Sequence, residues 1–134
     1  MTDPIDEAVL AELRDAARAA REQAYAPYSG FQVGAAVLSS TGRRYLGCNV
    51  ENASYGATLC AERAAVAAMV SAGDRTIVAV AVFTDADPPA MPCGICRQVL
   101  FELGREVVVV VASPRAERRT SLAALLPEAF RLEV

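Results

Sequence analysis

Apolar positions at Ile5, Val9, Leu10, Leu13, Ala16, Ala17 and Ala20 recur every three or four residues, which predicts an amphipathic helix over 5–24. "YAPYSG" ends it, because Pro27 and Gly30 interrupt helical geometry. The pattern then changes: "FQVGAAVLSS" (31–40) and "RRYLGCNV" (43–50) predict two short strands joined by a hairpin-like turn around Gly42. "ENASYGAT" (51–58) is polar and rich in small residues, so it predicts a loop able to carry function. Strong helix formers fill 60–72, and Gly73 follows where a capping glycine belongs. "TIVAVAVFT" (76–84) predicts a strand and "DADPPAMP" (85–92) a turn-rich loop. A short helix over 93–103 closes on Gly104, and "EVVVVVAS" (106–113) predicts a strand buried on both faces. "SLAALLPEAF" (121–130) supplies a last short helix. A hairpin followed by helices alternating with strands argues for a layered α/β sheet of mixed direction, and no internal repeat is visible.

The chain has 134 residues, near the commonest size for one domain, and is read as a single domain over 1–134. Its 54% hydrophobic and 22% charged residues fit a compact chain with no disordered segment. The longest apolar runs, 107–112 and 64–70, fall short of the roughly 18 residues a membrane span needs. The N-terminus lacks a basic start followed by an apolar stretch, so the expectation is a cytoplasmic, unprocessed protein with no membrane partner. Formal net charge is −3, and the one basic group, Arg115, Arg118 and Arg119, carries Glu117 among them. That reads as a solvated loop, and a nucleic-acid partner is not expected.

All 13 cationic residues are arginine and histidine is absent. Lysine Schiff bases, the P-loop lysine, the Ser/His/Asp triad, the Cys/His pair and the HExxH zinc site are thereby excluded. A proton shuttle should then be a carboxylate, and a soft-metal site should be built from thiolates.

Four cysteines are present: Cys48, Cys60, Cys93 and Cys96. Two disulfides suit neither the expected compartment nor the size of the chain. "PCGIC" (92–96) by itself fits a redox dithiol or half of a zinc site. "CAE" (60–62) adds a third cysteine that also opens a helix, so two helix N-termini could converge on one ion. The unpaired N–H groups and positive dipole ends there favour thiolates. Thiolates in a four-coordinate arrangement select zinc, and three of them leave one position for water. Cys48 is either a fourth, closing ligand or a small buried apolar residue in its strand. Glu62 leans past the helix end without sharing a face with Cys60. Arg63 is a candidate donor to a ligand sulfur, offsetting the surplus negative charge, or else a surface ion-pair partner.

Cys-Ala-Glu followed by Pro-Cys-x-x-Cys is the known zinc-deaminase signature. With "YAPYSGFQVGAAV", "GCNVENASYG", "CAERAAV", "PCGICRQVL" and "LLPEAF", the chain resembles the cytidine deaminases of the small, homotetrameric, three-cysteine type over most of its length. That resemblance implies a three-layer α/β/α fold with a mixed five-stranded sheet. It implies one zinc per subunit on Cys60, Cys93 and Cys96, with Glu62 as proton shuttle in the hydrolysis of cytidine and 2′-deoxycytidine to the uridines and ammonia, in pyrimidine salvage. Asn49 and Glu51 would bind the ribose hydroxyls, and Phe31 and Ala61 would border the pyrimidine. The loop Ala53 to Tyr55 and Phe130 would complete a neighbouring subunit's pocket. The residues alone leave other uses open: Phe31 and Phe130 as core aromatics, and Asn49 as the organiser of its own turn. A deaminase for another aminopyrimidine nucleoside, a non-catalytic zinc-stabilised module and a thiol oxidoreductase remain as alternatives.

Overall fold

The computed structural model describes residues 5–133; the first four residues, on which part of the N-terminal reading falls, lie outside the described residues. Helix α1 (Glu7–Arg21) starts at Asp6, whose carboxylate accepts the Ala8 N–H at 2.8 Å, and buries Leu10, Leu13 and Ala17. Its apolar stripe is the one its spacing predicts, with Glu7 in the first turn and Arg18 and Arg21 in the last, both favourable to the helix dipole. Strands β1 (Gly34–Ser39) and β2 (Arg44–Cys48) follow as an antiparallel pair. After them come α2 (Ala61–Ser71), β3 (Ile77–Phe83), α3 (Gly94–Leu103), β4 (Val108–Ala112), β5 (Glu117–Ser121) and α4 (Leu122–Leu125).

The five strands form one sheet in the order β2-β1-β3-β4-β5. Only β3 and β4 are parallel, and the connection between them carries α3, as a parallel pair requires. Side chains alternate across the sheet with a period of two. Ala36, Leu38, Ala79, Ala81 and Val110 meet the buried stripe of α1, while Ala35, Val37, Val80, Val82 and Val109 pack beneath α2, α3 and α4. Helices therefore cover both faces of a mixed five-stranded sheet, which is the three-layer α/β/α arrangement expected.

Two expectations need correction. Arg118 and Arg119 lie in an edge strand and not in a loop, opposite Val111 and Val110 of β4. "ERRTS" has no apolar alternation because β5 is solvated along most of its length, and its charges discourage further pairing at the sheet edge. Glu117 and Arg119 also bond Arg14 and Glu7 of α1. The last helix spans only Leu122–Leu125, capped by Ser121 Oγ on the Ala124 N–H at 3.1 Å. Pro127 disfavours helical geometry at Leu126, which adopts φ −137 and ψ 67.

Pairing brings one end of the sheet to a focus. Gly34 stands opposite both Cys48 and Phe83, and Phe83 stands opposite Ala112. The segment entering β1 (31–33), the one leaving β2 (49–51) and the one leaving β3 thus emerge side by side. Gly47 lets α2 close on this end: a Cβ there would lie 2.3 Å from the Ala61 carbonyl oxygen and 2.4 Å from the Ala65 nitrogen.

Candidate active site

Cys60 and Cys93 are the residues immediately before α2 and α3, both in extended conformation. Their carbonyls accept the first helical hydrogen bonds, from Ala64 and Arg97 N–H at 3.0 Å, but neither side chain caps its own helix. The sulfurs are therefore free to point away from the helix ends. Cys96, one turn into α3, joins them, and the three Sγ atoms lie within 4.8 Å of one another, with Cys60 and Cys93 at 3.9 Å.

All four cysteines are free thiols. Three convergent sulfurs are a donor set suited to zinc, and among the described residues the cluster has no fourth member. Cys48 stays half-buried at the end of β2, outside it.

Cys60 and Cys96 are shifted in opposite directions. The Cys60 thiol is pulled down to about 5, chiefly by a hydrogen bond with Cys96, with further help from Arg63 and Cys93 and against the cost of burial. Cys96 is pushed up by the same bond and by burial. Arg63 Nη2 donates to Cys60 Sγ at 3.5 Å and to the Thr58 carbonyl at 3.2 Å, so this guanidinium faces the sulfur and not a surface carboxylate. Its Nε is buried without a hydrogen-bond partner among the described residues.

Glu62, in the first turn of α2, is only 5% exposed. Burial raises its carboxyl to about 7, and the neighbouring Cys60 adds to the rise. A carboxyl poised there can both take and give a proton at neutral pH. It borders a cavity of about 210 Å³ together with Cys60, Cys93, Phe31, Asn49 and Ala61. Beside it lies a more polar pocket of about 250 Å³ lined by Tyr28, Ser29, Glu51, Asn52 and Tyr55, and Thr58 lines both.

Phe31, Asn49 and Ala61 thus border the thiol cavity, and Glu51 and Tyr55 border the adjoining pocket. Phe130 lines neither; it is 67% exposed, and its carbonyl accepts from Gln98 Nε2 at 3.0 Å. Phe31, at 43% exposure, is not a core aromatic. Asn49 is buried and does not order its own turn: its Oδ1 accepts the Val33 N–H at 2.8 Å and its Nδ2 donates to the Phe31 carbonyl at 2.8 Å. Sequence reasoning missed Thr58 and Ser29, since small hydroxyl residues in loops carry no signal of the distant segment they meet.

The sequence profile of the cytidine and deoxycytidylate deaminase zinc-binding region matches residues 8–112. A cytidine deaminase of Sporosarcina psychrophila is 48% identical over 116 residues, covering 85% of each chain. The crystal structure of a cytidine deaminase from Burkholderia pseudomallei superposes with a TM-score of 0.86 at 47% identity, covering 97% of this chain and 100% of that one. A cytidine deaminase structure from Mycobacterium tuberculosis gives 0.80 at 46% identity over 96% of this chain and 100% of that one. With the thiol cluster, the fold and the sequence in agreement, the chain belongs to the cytidine and deoxycytidylate deaminase family.

Proposed function

We propose that the chain, as one domain over 1–134, is a zinc-dependent cytidine deaminase converting cytidine and 2′-deoxycytidine, with water, to uridine or deoxyuridine and ammonia. The observation that carries this reading is a cluster of three convergent thiols, two of which, Cys60 and Cys93, line one cavity together with the buried Glu62 carboxyl outside the cluster. Cys60, Cys93 and Cys96 would hold the ion. Zinc held by three thiolates keeps a position for water and lowers its pKa toward neutrality, supplying the nucleophile.

Glu62 takes a proton from the attacking water and delivers it to ring nitrogen 3 as carbon 4 is attacked. The same carboxyl then moves the proton of the new carbon-4 hydroxyl to the exocyclic nitrogen, so that the carbon–nitrogen bond breaks, ammonia leaves and the carbon-4 carbonyl forms. Arg63 draws negative charge from Cys60, offsetting the surplus of three thiolates around a divalent ion. Phe31 packs on the pyrimidine beside Ala61, and the ribose reaches into the adjoining pocket, where Glu51 receives a hydroxyl and Tyr55 forms a wall, while Asn49 receives a hydroxyl from the thiol-cavity side.

The active form is a homotetramer. Tyr25 (57% exposed), Tyr55 (78%) and Phe130 (67%) give the single chain aromatic surface around this end that another subunit would cover. Phe130 then completes a neighbour's pocket. Three metal-binding thiols suit the reducing cytoplasm, and a product that keeps its sugar suits pyrimidine salvage.

Zinc-loaded protein mixed with cytidine, deoxycytidine and free cytosine, with ultraviolet absorbance and released ammonia followed together, tests the reading. Rapid turnover of the nucleosides over cytosine is expected. Stoichiometric zinc with no turnover of either nucleoside overturns it. Light scattering on the same sample reads the assembly, and a fully active monomer overturns the tetramer.

A further inference from the structure

We infer that Ser29 is a positioning residue that joins Glu51 to Phe31, so that the carboxylate facing the sugar and the aromatic ring facing the base are presented as one unit. The inference rests on the nucleoside reading of the two adjoining pockets.

Ser29 Oγ serves two partners. It donates its only O–H to Glu51 Oε2, and it accepts the Phe31 N–H at 3.0 Å. The Ser29 and Tyr28 N–H groups reach the other carboxylate oxygen, Oε1, at 3.1 and 2.9 Å. An ionised carboxylate offers about four acceptor sites, so three donors from one short stretch leave about one for a ligand hydroxyl. Phe31 is held from its other side as well, since its carbonyl accepts from Asn49 Nδ2 at 2.8 Å. Gly30 between them takes the left-handed φ of 70 that the tight path needs, and its N–H bonds the Ala26 carbonyl at 2.9 Å.

Ser29 and Phe31 are both exposed, so apolar packing does little to fix either. Hydrogen bonds set their placement. The Glu51 carboxyl is held below the ordinary carboxylate range, first by the Ser29 hydroxyl and then by the Ser29 N–H. Tyr28 and Tyr55 are the other titratable groups lining that pocket.

Replacing Ser29 by Ala removes one of three donors to Glu51 and leaves the Phe31 N–H to water, at an exposed site where the fold can persist. The expected result with cytidine is a KM raised on the order of tenfold with kcat little changed, the cost of a hydrogen bond to a charged group. Ser29→Thr, which keeps the hydroxyl, restores KM. In a Glu51→Gln background the same Ser29→Ala change should raise KM markedly less, because its partner is already altered. An equal penalty in both backgrounds, or no penalty in either, overturns the inference. Carbon-13 NMR titration of the Glu51 carboxyl reads the same link without turnover, so a wild-type protein inactive on nucleosides refutes the activity and not the link. Ser29→Ala should move that titration up toward the ordinary carboxylate value, and an unmoved titration overturns the inference.

Discussion

The Sγ atoms of Cys60 and Cys93 stand 3.9 Å apart although 33 positions separate them in the chain. Two bare thiolates that close would repel, so the arrangement calls for a shared proton or a cation. With Cys96 beside them it offers a cation three donors of the type zinc prefers. Two helix N-termini meeting at the same end of the sheet create this relationship.

Glu62→Gln should keep one zinc per chain and lose at least about a hundredfold in kcat, the usual range for removing a general acid–base group. Metal content by elemental analysis and cytidine turnover on one sample check it. Wild-type turnover in the variant would remove Glu62 from the proton path.

Cys48→Ser and Cys60→Ser should part company. Cys48 lies outside the thiol cluster, so its replacement should leave zinc stoichiometry and activity in place. Cys60 is a member, so its replacement should release the metal and, with it, stability. Zinc measured after gel filtration, with a melting curve, distinguishes the two; a metal-free Cys48→Ser protein would point to a fourth ligand.

Arg63→Gln should weaken zinc binding about 10- to 100-fold, because the hydrogen bond to Cys60 tunes a ligand from outside the coordination sphere. Competition with a chromophoric chelator reads it directly. Unchanged affinity would mean that the guanidinium does not compensate the thiolates.

Gly47→Ala should cost about 1–3 kcal/mol or more, since the new methyl meets α2 backbone that has no flexible end to yield. The clash sits against Ala61 and Ala65, so it should also disturb Cys60 and Glu62. Urea unfolding and zinc retention measured together check this, and a stable, fully metallated variant would contradict the close packing.

Asp74 ties the β1–β2 turn to the loop after α2: its Oδ2 accepts from Tyr45 Oη and Thr41 Oγ1, both at 2.8 Å. These bonds, that from Tyr45 foremost, hold its carboxyl below the ordinary 3.8. A depressed folded value means the native state binds the proton less readily than the unfolded chain. The stabilisation is therefore complete above the unfolded value and is lost as pH falls through the folded one. Asp74→Asn should be less stable than wild type at about pH 6, with the gap narrowing below about pH 4. Urea midpoints across that range test it; a gap independent of pH would show the charge to be irrelevant.

The local pattern of the chain was enough for α1, for the hairpin around Gly42 and for the valine strand, because helix and strand periods and capping residues act over a few neighbours. The thiol cluster was equally legible: Cys60 and Cys93 stand just before two helices and Cys96 follows three residues on, and these are the sulfurs that converge. Strand β5 was not legible, since "ERRTS" becomes a strand only by pairing with the free edge of β4. The hydrogen-bond partners of Asn49 and the placement of Ser29 and Thr58 were hidden for the same reason. Each depends on a segment distant in sequence, and its distance is set by how β1, β2 and α2 pack at one end of the sheet. Residue type and spacing determine which groups can do chemistry; packing between remote segments decides which of them meet.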